Sequence, residues 1–270
     1  MTSSDMQPIE RLLDIMAHLR DPQTGCPWDI EQTFDTIAPY TIEEAYEVAE
    51  AIADKDMGEL KSELGDLMFQ VVFYTQMSKE EGGFDFNDVV SAVSDKMIAR
   101  HPHVFGDGNI ADAEAQTVAW EETKAKERQE KAERKGQAES ALDGVARTLP
   151  AFTRAVKLQN RAARVGFDWP DTVPVFDKIE EELGELKHEI QSGGSSAKIA
   201  EEYGDFLFVV ANLGRHLELD PETILEKANR KFTRRFQQVE RKITESGKSI
   251  NESSLEEMDN LWNEVKLEEK

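Results

Sequence analysis

The sequence predicts an all-α protein: two tandem, related helical bundles, completed by dimerisation. The first observation is periodicity. The 16 glycines and 9 prolines fall mainly between long stretches with a 3.6-residue repeat, and strand-like alternation is scarce. The second is internal likeness. TIEEAYEVAEAI (41–52) resembles IEEELGELKHEI (179–190), and SELGDLMFQVV (62–72) resembles EEYGDFLFVVA (201–211). GCPWD (25–29) is echoed by GFDWP (166–170), and VAWEETK (118–124) by NLWNEVK (260–266). The order is the same in both halves: tryptophan, acidic helix, second acidic helix, basic helix, tryptophan. Duplication explains this most simply. Domains are expected at 1–125 and 145–270, with the charged run 126–144 as a linker.

The bulk numbers exclude several classes. With 39% hydrophobic residues the chain can build a core. Its 32 basic and 55 acidic residues give a formal charge of −23, which argues against binding nucleic acid or an anionic membrane surface. Cys26 is the single cysteine, so no internal disulfide can form and a cytoplasmic location is expected. No secretory leader and no bilayer-spanning run are expected either.

In the second half, Glu182 and Glu185 lie three apart on one helix. Glu182 interrupts the apolar stripe Ile179, Leu183, Leu186, Ile190. On the next helix Glu202 and Asp205 open a stripe that continues through Phe206, Val209 and Leu213. The Gly-Gly break in QSGGSSAK (191–198) predicts that the two helices fold back as an antiparallel pair. Four carboxylates then converge, and the first half repeats the set with Glu44, Glu47, Glu63 and Asp66. Like charges at close range repel, and burial adds desolvation, so protons, bases or metal must offset them. Hard oxygen ligands without cysteine suit Mg²⁺, with Mn²⁺ as the alternative. A di-iron bundle needs Glu-x-x-His from two helices. Glu185-x-x-His188 supplies one, but ExxD stands at the other position and the first half has Glu50 in place of the histidine, so the di-iron reading is rejected.

Basic groups follow each acidic pair. KANRKFTRRF (227–236) places Lys227, Lys231, Arg234 and Arg235 near one helical face, and Lys198 stands one turn before Glu202. Such groups beside a carboxylate-held metal suit a polyphosphate. The first half offers Lys96, Arg100 and His103, but Pro102 interrupts the helix there. No Walker A pattern occurs. Among the tryptophans, Trp262 is the best candidate to stack on a base, on a last helix capped by Ser254-x-x-Glu257.

ExxE followed by ExxD on adjacent helices resembles the all-α nucleoside triphosphate pyrophosphohydrolases. The ordered set GCPWD, PYTIEEAYEVAEAI, ELGDLMFQVVF, RHPHVFGD, KLQNRAARVGFDWP, EEYGDFLFVVANLGRH and KANRKFTRRF is similar to the MazG family over nearly the whole chain. The resemblance implies Mg²⁺-dependent hydrolysis of nucleoside triphosphates to monophosphate and pyrophosphate by a homodimer, chiefly in the C-terminal domain. It implies metal ligation by Glu182, Glu185, Glu202 and Asp205, and nucleotide contacts from Lys198, Lys231, Arg234, Arg235 and Trp262. The first-half acids match equally well, but that half departs at His101–Pro102–His103.

The expected reaction is in-line attack of water, with Glu181 outside the metal shell accepting the proton. One or two metals, and attack at the α- or β-phosphorus, fit the sequence equally. Broad base specificity, as in nucleotide-pool house-cleaning, is expected because no side-chain set selects a base. A non-catalytic nucleotide-binding regulator is the alternative from another class.

Overall fold

A computed structural model describes residues 7–107, 110, 112, 115, 116, 119, 120, 123 and 140–269. All the regular structure among the described residues is helical. The chain divides into two compact units, Met1–Thr123 and Lys124–Lys270. Residues 126–139 of the expected linker lie outside the described residues.

The first unit contains α1 (Pro8–Leu19), α2 (Pro27–Glu31), α3 (Phe34–Asp54), α4 (Met57–Glu80), α5 (Phe86–Arg100) and the short α6 (Pro102–Phe105). Local chemistry fixes the starts. Pro8 and Pro27 occupy first positions, where no amide donor is needed. Asp56 accepts hydrogen bonds from the Gly58 and Glu59 amides and caps α4. Pro102 opens α6 just after α5 ends at Arg100, which is the interruption its missing donor requires. Gly25 is required by space: a Cβ there would lie 2.4 Å from the Leu19 carbonyl oxygen. The α3–α4 hairpin turns through Lys55 at φ 60°, and α1 packs on α4. Their core is Met16, Ile37, Val72, Phe73 and Met77.

The second unit repeats the plan with α7 (Ala151–Arg164), α8 (Val173–Ser192), α9 (Ser196–His216), α10 (Pro221–Glu245) and α11 (Leu255–Glu268). The α8–α9 hairpin turns at Gly193, φ 74°, a left-handed conformation that glycine adopts without a Cβ penalty. Helix α7 packs on α9, and α10 pairs with α11 around buried Val239, Ile243 and Val265. Ser254 caps α11 by accepting the Glu257 amide at 3.2 Å.

One expectation about the core is corrected. On α8, Leu183 and Ile190 are 50% and 57% exposed, whereas Glu182 is only 6% exposed. The inward line runs through Val175 and Glu182, and the apolar residues Phe176, Leu183 and Ile190 recur every seven positions on solvent. A 3.6-residue pattern marks the apolar face of a helix. Which face meets the neighbour depends on the docking partner, here α9. No described helix is long and apolar enough to cross a membrane.

Candidate metal and phosphate site

Each hairpin brings three carboxylates together. Glu182 and Glu185 from α8 and Glu202 from α9 offer oxygen atoms within 4.8 Å of one another. Glu44 and Glu47 from α3 and Glu63 from α4 do the same in the first unit. The cause is geometric. Residues three apart share a helical face, and an antiparallel neighbour supplies the third group. Asp205 and Asp66 stand outside these triads, but their charge reaches them.

Burial and crowding raise three of these acids. Burial pushes the Glu202 carboxyl above its ordinary value, and repulsion from Glu185, Glu182, Glu201 and Asp205 adds to it. Burial, then Asp66 and Glu47, raises Glu44, partly offset by a hydrogen bond from Gln70. Glu63 is raised to about 7 by burial, by Glu47, and by a hydrogen bond to Glu59 that requires a proton. Carboxylate oxygens crowded in this way are the hard donors that a divalent ion takes.

A lysine enters the second site. Lys178, one turn before Glu182, lies 2.8 Å from it and 2.9 Å from Glu181. These hydrogen bonds hold the ammonium well above its usual range. The i, i+4 spacing of Lys178 and Glu182 was the signal in the sequence. Glu181, the expected proton acceptor, is thus tied to Lys178 and lines a cleft with Glu185, His188, Glu189 and Glu202. Lys198 lies 3.8 Å from Glu189 at that cleft.

The expected phosphate-binding set is not joined to the triad by any described hydrogen bond or ion pair. Arg234 and Arg235 both hold the Glu269 carboxylate, at 2.9 and 2.7 Å. Together they keep that acid below its ordinary value. Trp262 is tilted against Phe232 with centroids 5.3 Å apart, and Arg235 lies over its ring. Lys231 is on the same helix α10. Arg234, Arg235, Trp262 and Glu269 form one cluster on α10 and the end of α11.

Comparison with known proteins decides the family. The model of the MazG nucleotide pyrophosphohydrolase domain matches residues 32–105 and 175–240, once on each acidic hairpin. The chain belongs to the MazG family. This MazG protein is 52% identical to the nucleoside triphosphate pyrophosphohydrolase of Escherichia coli K12, over 98% of this chain and 99% of that one. It is 42% identical to the nucleoside triphosphate pyrophosphohydrolase/pyrophosphatase MazG of Thermotoga maritima, over 95% of each. A Bacillus subtilis protein called uncharacterized protein YabN is 41% identical over 95% of this chain and 51% of its own length. As a MazG protein the chain is a nucleotide pyrophosphohydrolase, and it carries the MazG domain twice.

Proposed function

We propose that the second half hydrolyses nucleoside triphosphates to monophosphate and pyrophosphate, with Mg²⁺ or Mn²⁺ held by Glu182, Glu185 and Glu202 and supported by Asp205. The observation that carries this reading is the convergence of three carboxylates from two helices within 4.8 Å, one of them buried. A bound divalent ion would activate water and offset phosphate charge. The protein's own groups do the rest. Lys178 and Lys198 flank the carboxylates and balance the charge of an incoming triphosphate. Glu181, at the cleft, accepts the proton of the attacking water. Lys231, Arg234, Arg235 and Trp262 serve the nucleotide after Glu269 releases the two arginines. Glu44, Glu47, Glu63 and Asp66 form a second cation site that lacks comparable bases. Acceptance of many bases suits clearance of the cytoplasmic nucleotide pool.

Homodimerisation belongs to the same reading. The heptad-spaced Phe176, Leu183 and Ile190 leave an apolar line on solvent, and a second copy would cover it. Light scattering should give twice the 30.5 kDa chain mass.

Product separation after incubation with each nucleoside triphosphate tests the reaction. Monophosphate and pyrophosphate should form with Mg²⁺ or Mn²⁺ and vanish with excess chelator. Diphosphate and orthophosphate, or turnover indifferent to the chelator, would refute the proposal.

A further inference from the structure

Glu269, the residue just after α11, sits where an anion would. Its Oε1 accepts from Arg234 Nε at 3.1 Å and from Arg234 Nη2 at 2.9 Å. Its Oε2 accepts from Arg235 Nε at 2.7 Å. One carboxylate thus spends both oxygens on two neighbouring guanidiniums, whose planar forks suit phosphate equally well. Two guanidiniums against one acid leave a positive charge over among these groups. Lys231, one turn before Arg235 on the same helical face, adds to it.

The arginine pairs that brace each unit look different. The side chains of Arg20 and Arg215 are only 9% and 12% exposed, on Glu80 and Asp168. Among the described residues neither of those acids is shared with a second arginine. Arg234 is 59% exposed and shares its acid with Arg235. An incoming anion can reach such a pair.

Glu269 is also placed to let go. Its amide meets the Val265 carbonyl at a long 3.3 Å. Helix α11 stays anchored without it, because Val265 is buried against Val239 and Ile243 and Lys242 holds the neighbouring Glu268 at 2.6 Å. Freeing the arginines therefore needs a side chain to swing, not a helix to move. Trp262 lies two turns earlier on the same face of α11. Arg235 meets both residues, with its guanidinium carbon 5.9 Å from the centre of the Trp262 ring.

We propose that Glu269 is an autoinhibitory latch: its carboxylate fills the seat in which Arg234 and Arg235 hold a phosphate group, and the ligand must displace it. The inference rests on the proposed role of these arginines in binding the nucleotide. A phosphate group brings more oxygens and more negative charge than one carboxylate to the same N–H donors. It therefore displaces Glu269, at a cost in affinity. That cost sets how much polyphosphate is needed before the seat fills.

Calorimetric titration with inorganic tripolyphosphate in chelator tests the latch, since neither a base nor a metal then contributes. The proteins are wild type, Glu269→Gln, and each of these with Arg234→Gln and Arg235→Gln added, all checked for an unchanged helical spectrum. Glu269→Gln should bind tripolyphosphate about three- to tenfold more tightly than wild type, the scale of a partly exposed ion pair. The gain should vanish when the arginines are replaced. Equal affinity in wild type and Glu269→Gln, or no binding by either, would overturn the latch. Weaker binding by Glu269→Gln would also overturn it, and would make Glu269 a residue that positions the arginines. A gain that survives loss of the arginines would do the same, because removal of negative charge alone would then explain it. If the latch passes while no nucleoside triphosphate is cleaved, the hydrolytic reading fails and the anion seat stands. If cleavage is found but Glu269→Gln binds no better, the latch alone fails.

Discussion

The two acidic hairpins carry the same carboxylates in different company. Where α8 has Lys178, one turn before Glu182, the matching position before Glu44 is Tyr40. Where α9 has Lys198, one turn before Glu202, the first half has Glu59. Lys178 hydrogen-bonds Glu182 in the second unit, whereas Glu63 in the first is pushed up to about 7 by burial, by Glu47 and by Glu59. One triad has a lysine bonded to it, and the other has a further carboxylate beside it. The ExxE…ExxD pattern therefore sets where carboxylates meet. The residues one turn upstream differ in charge, and a triphosphate needs cations that Tyr40 and Glu59 do not provide.

Removing one carboxylate from each site tests that contrast most strongly. If Glu202 is the proposed metal ligand, Glu202→Gln should lower turnover by about 100-fold or more, while Glu63→Gln retains most of it. The reverse result in product assays would move the reaction to the first half.

Exchanging the upstream residues comes next. Lys178→Met should cost roughly 10–100-fold in kcat/KM, by loss of a group that orients Glu182 and Glu181. Tyr40→Lys should make the first unit more heat-stable in chelator, and calorimetry with and without Mg²⁺ would show whether lysine and cation are interchangeable there.

The arginine–carboxylate pairs that brace each unit give a smaller effect. Burial alone would raise Asp168 and Glu80, but hydrogen bonds from Arg215 and Arg20 outweigh it and hold both acids below their ordinary values. A depressed carboxyl stabilises the fold above its unfolded value, and that contribution is lost as pH falls through the folded one. Asp168→Asn should therefore cost about 1.5–3 kcal/mol near neutrality. The difference from wild type in denaturant melts should shrink as pH falls below about 4.

The hairpin turns give the smallest effect. Gly193 and Lys55 occupy matched positions with φ of 74° and 60°. Gly193→Ala should destabilise by about 1 kcal/mol, and Lys55→Gly should stabilise by up to about that amount. Equal and small changes at both turns would mean that the left-handed conformation is not what distinguishes them.

Much of this was legible from local spacing. Ser254 and Glu257 cap α11, the Gly193–Gly194 break turns the hairpin, and Pro102 ends a helix, each through chemistry confined to a few residues. The carboxylate triads were legible too, because three-residue spacing on each of two helices joined by a short turn leaves few ways to miss one another. Lys178 was visible four residues before Glu182 but carries no mark that separates it from other surface lysines. The engagement of Arg234 and Arg235 with Glu269 joins residues over 30 positions apart, and no local pattern predicts it.

The sequence by itself determined the helices, the duplication, the carboxylate pairs and the family, since each depends on a repeat or a spacing along one chain. The tertiary structure decided which face of α8 is buried, which triad has a lysine bonded to it, and that Glu269 holds Arg234 and Arg235. Helical periodicity tells where side chains project around one axis. Burial, ion pairing and empty space depend on the second helix brought against it, and that arrangement exists only in the folded unit.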